Sequence, residues 1–241
     1  MTILDVAEKY EIQTIRPFIA RQLEMDWPTT LEAWIRRQAE VAEMSTIRDG
    51  AIVSVGEAQP IFPEPAAAIH LGLEHGIHSI LPAAFYELSQ VAVEDDWDRI
   101  KHEQWKFRDL GPKYEGIPEN GKMARWSLLD KDTLMRMLLS KSALYDAEQG
   151  LRSAYRKLDC LNVGTVCESQ RDHLFQEFKK AARGFSRETP DPLGRVKQLL
   201  HAVSVDVLLC KSCKGAIRRK LGEAMTKIWD DLPRIFSVDK L

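Results

Sequence analysis

The sequence predicts an all-α protein, a helical-hairpin array followed by a C-terminal helical lobe. Three observations carry that expectation. Apolar residues recur at helical spacing in three segments that share one register. Proline and aspartate stand where helix starts are needed. No stretch alternates apolar and polar residues better than residues 50–55, and the register assigns that stretch to a helix.

The three segments are AEKYEIQTIRPFIARQL, AEVAEMSTIRDGAIVSV and GLEHGIHSILPAAFYEL. Their anchors are Ile15, Ile47 and Ile80, separated by 32 and 33 residues. Ile12, Met44 and Ile77 stand three before the anchors. Ala20, Ile52 and Phe85 stand five after, and Leu23, Val55 and Leu88 eight after. Each unit reads as a helix, a break and a second helix. Pro17 and Pro82 fall in the first turn of that second helix, where the missing N–H has no helical partner to lose. A period of this length is the mark of stacked helical hairpins that bury their faces only against neighbours.

The register ends after Ser89, so the first domain is read as residues 1–93. Residues 94–123 hold the acidic cluster Glu94, Asp95, Asp96 and Asp98, then a stretch rich in Gly, Pro and charge from Asp109 to Gly121. They read as a surface loop with a short helix around Trp97 to Phe107. The C-terminal lobe, residues 124–241, begins with a stripe of Leu134, Met137, Leu138, Leu144 and Leu151, with a break expected near Ser140. A second polar loop runs from Arg183 to Asp191. Asp191 then offers an N-cap, with Pro192 at the first helical position. The last helix places Cys210, Cys213, Ile217, Leu221, Ala224 and Ile228 on one face and is expected to stop at Pro233.

Composition fits a globular chain. Of its 241 residues, 44% are hydrophobic and 29% charged, with a net charge of -2. That small net charge conceals a division. From Leu151 onward 18 Lys and Arg face 11 Asp and Glu, whereas the first 150 residues hold 16 against 25. Met1 to Lys9 has neither a basic leader nor a cleavage signal, and no apolar run approaches the roughly 18 residues of a membrane helix. A cytoplasmic or nuclear location without membrane attachment is the expectation, and there thiols stay reduced.

All four cysteines fall in the last third, as two close pairs: Cys160 with Cys167, and Cys210 with Cys213. Paired thiolates suit a tetrahedral structural zinc, which ties a loop to a helix in place of extra core. Two other readings stay open. Cys210 and Cys213 continue the apolar stripe of the last helix and suit buried thiols, and a CxxC at a helix start also suits redox chemistry.

Other clusters have plainer explanations. His70, His75 and His78 fall at the break between two helices, where polar residues are expected. The acidic cluster lacks the spacing that sets metal ligands on one helix face. Arg218, Arg219 and Lys220 form a basic run without interleaved aromatics for base stacking. No nucleophile motif, phosphate-binding glycine loop or kinase signature is present, which argues against an enzyme.

Three stretches carry a family resemblance: HGIHSILPAAFYELS at 75–89, followed by ARWSLLDKDTL at 124–134; LLCKSCKGAIRRKLGEAMTKIWDDLPRIF at 208–236; and the opening LDVAEKYEIQTIRPFIARQL. They resemble the helical region that follows the BTB/POZ fold in fungal, mainly mushroom, BTB/POZ-domain proteins. The opening resembles the last helices of that fold, so most of the BTB fold itself is missing from this chain. The resemblance implies a non-catalytic protein–protein interaction module of adaptor or scaffold type. Ile12, Ile15, Phe18 and Ile19 would then present an apolar face for a protein partner or a homo-oligomer. The alternatives are a zinc-supported nucleic-acid-binding regulator and a small metal-dependent enzyme.

Overall fold

A computed structural model describes residues 9–10, 14–48, 64–99, 122–156, 189–207 and 209–241, together with Cys167, Ser169, Gln170, His173 and Gln176. For 42–48 and 152–156 the backbone alone is described. The all-α expectation holds. The described residues form seven α-helices: α1 Ile15–Asp26, α2 Leu31–Arg48, α3 Pro65–Glu74, α4 Leu81–Ser89, α5 Lys131–Arg156, α6 Pro192–Val205 and α7 Lys211–Ile235. Short 3-10 turns cover His78–Ile80 and Trp126–Leu128. Among the described residues the only strand-like pairing is one isolated parallel bridge, Asp96 with Ala124.

The chain divides into two compact units, Met1–Met135 with Phe236–Leu241, and Arg136–Ile235. The first is built around α3 and α4. Alanine-rich α3 buries Ala66, Ala68, Ile69 and Gly72. A Cβ on Gly72 would lie 2.7 Å from Leu81 Cδ2 and 3.2 Å from Ile77 O, so a larger residue there would make Leu81 shift. The turn between them closes with Ile77 N–H donating to Gly72 O at 2.8 Å and with Gly76 at a φ of 65°. This is the pattern of a helix C-terminus ended by a left-handed glycine.

Helix α4 is buried nearly all round, including Leu81, Ala84, Phe85, Tyr86 and Leu88, as a central helix must be. Phe85 stacks on Phe236 at 5.3 Å, and Tyr86 meets the edge of Trp34 at 6.0 Å. The α4 carboxylate Glu87 accepts from Trp34 Nε1, Gln38 Nε2 and Lys122 Nζ at 3.2, 2.8 and 2.7 Å. Glu64 caps α3 by accepting from Ala66 and Ala67, and it also accepts the Arg125 N–H at 2.8 Å.

In the repeat segments, Ile15 opens α1, and Ile80 directly precedes α4 with Pro82 in its first turn. Ile47 lies inside α2, and 49–63 fall outside the described residues.

In the second unit α5 buries Met137, Ser140, Leu144, Glu148 and Leu151, a repeating three-four spacing. The helix runs unbroken through Ser140, contrary to the expected break. Ser140 Oγ is bonded to Arg136 O at 2.7 Å and to Ile235 O at 2.8 Å. Its hydroxyl thus serves a backbone carbonyl at the end of α7 instead of interrupting its own helix. Pro233 likewise does not end α7, which continues to Ile235. Proline has no N–H to give to the carbonyl four residues earlier, yet α7 continues past it, with Leu232 fully buried just before it. Helices α6 and α7 pack together. Val196, Leu199 and Val203 are buried on α6, and Ile217, Leu221, Met225, Ile228 and Leu232 on α7. Met225 takes the buried place expected for Ala224, which is only half-buried.

The start of α6 is as its sequence predicts. Asp191 Oδ1 accepts the Gly194 N–H at 2.9 Å, and Pro192 opens the helix. Asp191→Ala should therefore cost about 1 kcal/mol, the usual loss for an N-cap carboxylate. Urea unfolding followed by circular dichroism checks this, and Asp191→Asn should restore most of the loss.

Candidate metal centre

Helix α6 ends at Val205, and five residues separate it from α7, which begins at Lys211. Asp206 organises the turn between them. Its N–H donates back to Ala202 O at 3.1 Å. Its Oδ1 accepts the Leu209 N–H at 2.9 Å, and its Oδ2 accepts from Gln170 Nε2 at 2.7 Å. Gln170 and Cys167 stand one helical turn apart in helical backbone, so the same bond that fixes the turn fixes the segment carrying Cys167.

Cys210 is the residue before α7 and acts as its N-cap. Its carbonyl accepts the Lys214 N–H at 3.0 Å, the first helical bond. Its sulfur accepts the Cys213 N–H at 3.4 Å, where a Ser or Asp oxygen ordinarily sits. The Cys210 N–H in turn donates to Cys167 Sγ at 3.4 Å. Two backbone donors therefore point at two sulfurs.

The sulfurs of Cys167, Cys210 and Cys213 all lie within 4.8 Å of one another. Tetrahedral zinc with Zn–S bonds of about 2.3 Å sets its sulfurs about 3.5–4 Å apart. The trio thus needs at most a small contraction to close on an ion. Cys167 and Cys213 are buried, Cys210 is half-buried, and no disulfide joins the three. The donor set is all sulfur, which suits zinc and other thiophilic ions, and the aimed N–H groups offset charge that metal-bound thiolates retain. Three of the four cysteines singled out in the sequence are thereby brought together across 43 residues of chain; Cys160 lies outside the described residues.

The other candidates are not brought into such a group. Among the described residues, the cysteine trio is the set of three or more metal-ligating side chains close enough to share an ion. His70 Nε2 sits 3.3 Å from Glu74 Oε2, while His75 is buried at the end of α3 with its carbonyl accepting from Arg16 at 2.9 Å. The acidic cluster is bound into a turn. Asp96 Oδ1 accepts the Asp98 N–H at 3.0 Å, and Asp98 accepts from Arg125 Nε at 3.2 Å and Ser127 Oγ at 2.8 Å. Arg218 and Arg219 are exposed on α7, near Ser204 Oγ at 3.0 Å and Glu223 at 3.9 Å respectively. A small cleft of about 60 Å³ in the first unit is walled by Trp27, Trp34, Val91 and Met123.

Sequence reasoning missed the Asp206–Gln170 brace and the capping role of Cys210. It also missed a buried ion pair, Arg195 Nε with Glu148 Oε1 at 3.6 Å, whose side chains are 2% and 6% exposed. An Asp just after a helical run and five residues before a helix was a signal for the brace; periodicity held none for the ion pair.

No family model, curated protein or solved structure matches this chain. No helix among the described residues is long and apolar enough to cross a membrane.

One acid in the cluster is perturbed. Burial, reinforced by the neighbouring Glu94 charge, raises the Asp95 carboxyl above its ordinary 3.8. The folded state therefore holds this proton more tightly than the unfolded chain. Its contribution to stability is lost as pH rises from 3.8 through the raised value. Asp95→Asn should be more stable than the parent at neutral pH and should flatten the pH profile in that window. Urea midpoints measured across acidic pH check the sign.

Proposed function

We propose that this chain is a non-catalytic protein–protein interaction module of the BTB-associated adaptor type, with a structural zinc in its second unit. The observation that carries the interaction reading is α1. This helix of 12 residues buries none of them, although Ile15, Phe18, Ile19, Leu23 and Met25 lie along it. Phe18 and Met25 are 64% and 67% exposed. With Ile15, Ile19 and Leu23 only half-buried beside them, these two exposed side chains favour a protein cover, either a partner or a second copy. The resemblance of residues 75–89 and 208–236 to BTB-associated helical regions points the same way.

The non-catalytic reading is supported by how the polar clusters are used. Asp96, Asp98 and Glu87 serve turns and helix contacts, and the three converging thiols suit a structural ion. Zinc on Cys167, Cys210 and Cys213 is the proposed cofactor, with Cys160 proposed as fourth ligand on sequence grounds. Four thiolates leave no position for a reactive water.

Two experiments test these readings. A photo-crosslinking amino acid placed at position 18 should give a covalent protein adduct, either to a partner or to a second copy. The same probe at the exposed Arg219 should give little. Equal yields at the two positions would contradict the α1 surface. For the metal, the purified chain should carry about one zinc, as expected for one tetrathiolate site, and Cys213→Ser should lower it sharply. A parent chain without zinc at neutral pH would return the cysteines to ordinary buried thiols.

A further inference from the structure

We propose that the cysteine trio is a peroxide-sensitive clamp, in which oxidation joins Cys210 to Cys213 and expels the bound ion. The proposal rests on the zinc reading above and adds a means of regulating it.

Access favours one residue of the three. Cys167 and Cys213 are 9% and 6% exposed, whereas Cys210 is half-buried at the junction of turn and helix. A small oxidant arriving from solvent meets Cys210 first. Proximity then singles out the partner. The Cys210 sulfur already lies 3.4 Å from the Cys213 backbone nitrogen, and the two sulfurs are within 4.8 Å. Residues three apart in helical backbone have Cα atoms about 5 Å apart, as rise and radius dictate. A disulfide spans Cα separations of about 4.4–6.8 Å, so side-chain rotation suffices to bring the sulfurs to bonding distance. Bridging to Cys167 instead would draw on a separate segment, held by the Gln170–Asp206 bond.

The chemistry balances with hydrogen peroxide as oxidant. The Cys210 thiolate attacks one peroxide oxygen, the O–O bond breaks, and a sulfenic acid forms as hydroxide leaves. The Cys213 thiolate then attacks the Cys210 sulfur, forming the S–S bond and displacing the second hydroxide. Two thiolates are oxidised, the peroxide is reduced, and two protons convert the hydroxides to water. The ion has then lost two of its sulfur ligands, and the link between the Cys167 segment and the start of α7 opens. A dithiol reductant reverses the change and restores the site.

The test uses the full zinc-loaded chain and hydrogen peroxide. Zinc release is followed with a chromogenic chelator, and disulfides are mapped by peptide mass. The expected result is release of about one zinc per chain in step with a Cys210–Cys213 bridge, both reversed by dithiothreitol and added zinc. A chain that binds zinc but retains it under peroxide, with its thiols intact, would overturn the clamp and leave the zinc reading standing. Stepwise over-oxidation of Cys210 without a bridge would overturn it equally. A chain that holds no zinc at the outset would overturn the zinc reading, and ion expulsion with it. Cys213→Ala tests the bridge separately: peroxide should then leave Cys210 as a sulfenic acid trappable by dimedone.

Discussion

Helix α7 begins on a sulfur atom, and much of the second unit's order is connected to that junction. An N-cap must satisfy a backbone N–H that has no helical partner, and here the Cys210 thiol does so for Cys213. The same residue's N–H is directed at Cys167 Sγ, 43 positions earlier in the chain. Asp206 braces the turn just before this junction and takes hold of Gln170. Three chain segments therefore meet through polar contacts and sulfur at one end of α7, while apolar packing with α6 accounts for its length. At its far end Ser140 closes the helix through the Ile235 carbonyl. An ion at the sulfurs would convert a set of weak N–H···S contacts into covalent-strength restraint.

The first unit is organised on a different principle. Its centre is an apolar helix, α4, buried nearly all round, with Gly72 of α3 lying close against Leu81. Glu87 is the exception in that helix, a carboxylate turned toward a tryptophan, a glutamine and a lysine that together meet its charge and its lone pairs. Helix α1 lies outside this economy. It contributes polar anchors, Arg16 to His75 O and Glu24 to Ser79, yet it buries no side chain. Its large exposed apolar side chains are Phe18 and Met25, while Ile15, Ile19 and Leu23 are half-buried.

Much of this was legible before any coordinates, for identifiable reasons. Helix class follows from 3.6-residue periodicity, and the α6 start follows from Asp191 and Pro192, both local signals read at single positions. The pairing of cysteines anticipated that Cys167 would meet the CxxC, because thiols clustered in sequence have few reasons to be so. What was misread depended on tertiary context. Ser140 looked like a weak point in α5, but a buried hydroxyl can stabilise a neighbouring helix end. Pro233 reads as a stop, yet α7 runs on to Ile235 with Leu232 buried beside the proline. The sequence leaves Cys210 open as zinc ligand, stripe residue or redox thiol, and none of these readings includes its role as the cap of α7. The Arg195–Glu148 pair had no one-dimensional signature at all, since both residues sit at positions where periodicity predicts apolar side chains.

Whether the three converging thiols hold zinc is decided by the sulfur environment of the metal. Zinc-edge X-ray absorption of the purified chain should show a shell of sulfurs at about 2.3 Å, three or four in number, as thiolate ligation requires. Substituting Cys167 should reduce that sulfur count by one. A first shell made only of nitrogen and oxygen, or a chain that retains no zinc after dialysis at neutral pH, would contradict the zinc reading.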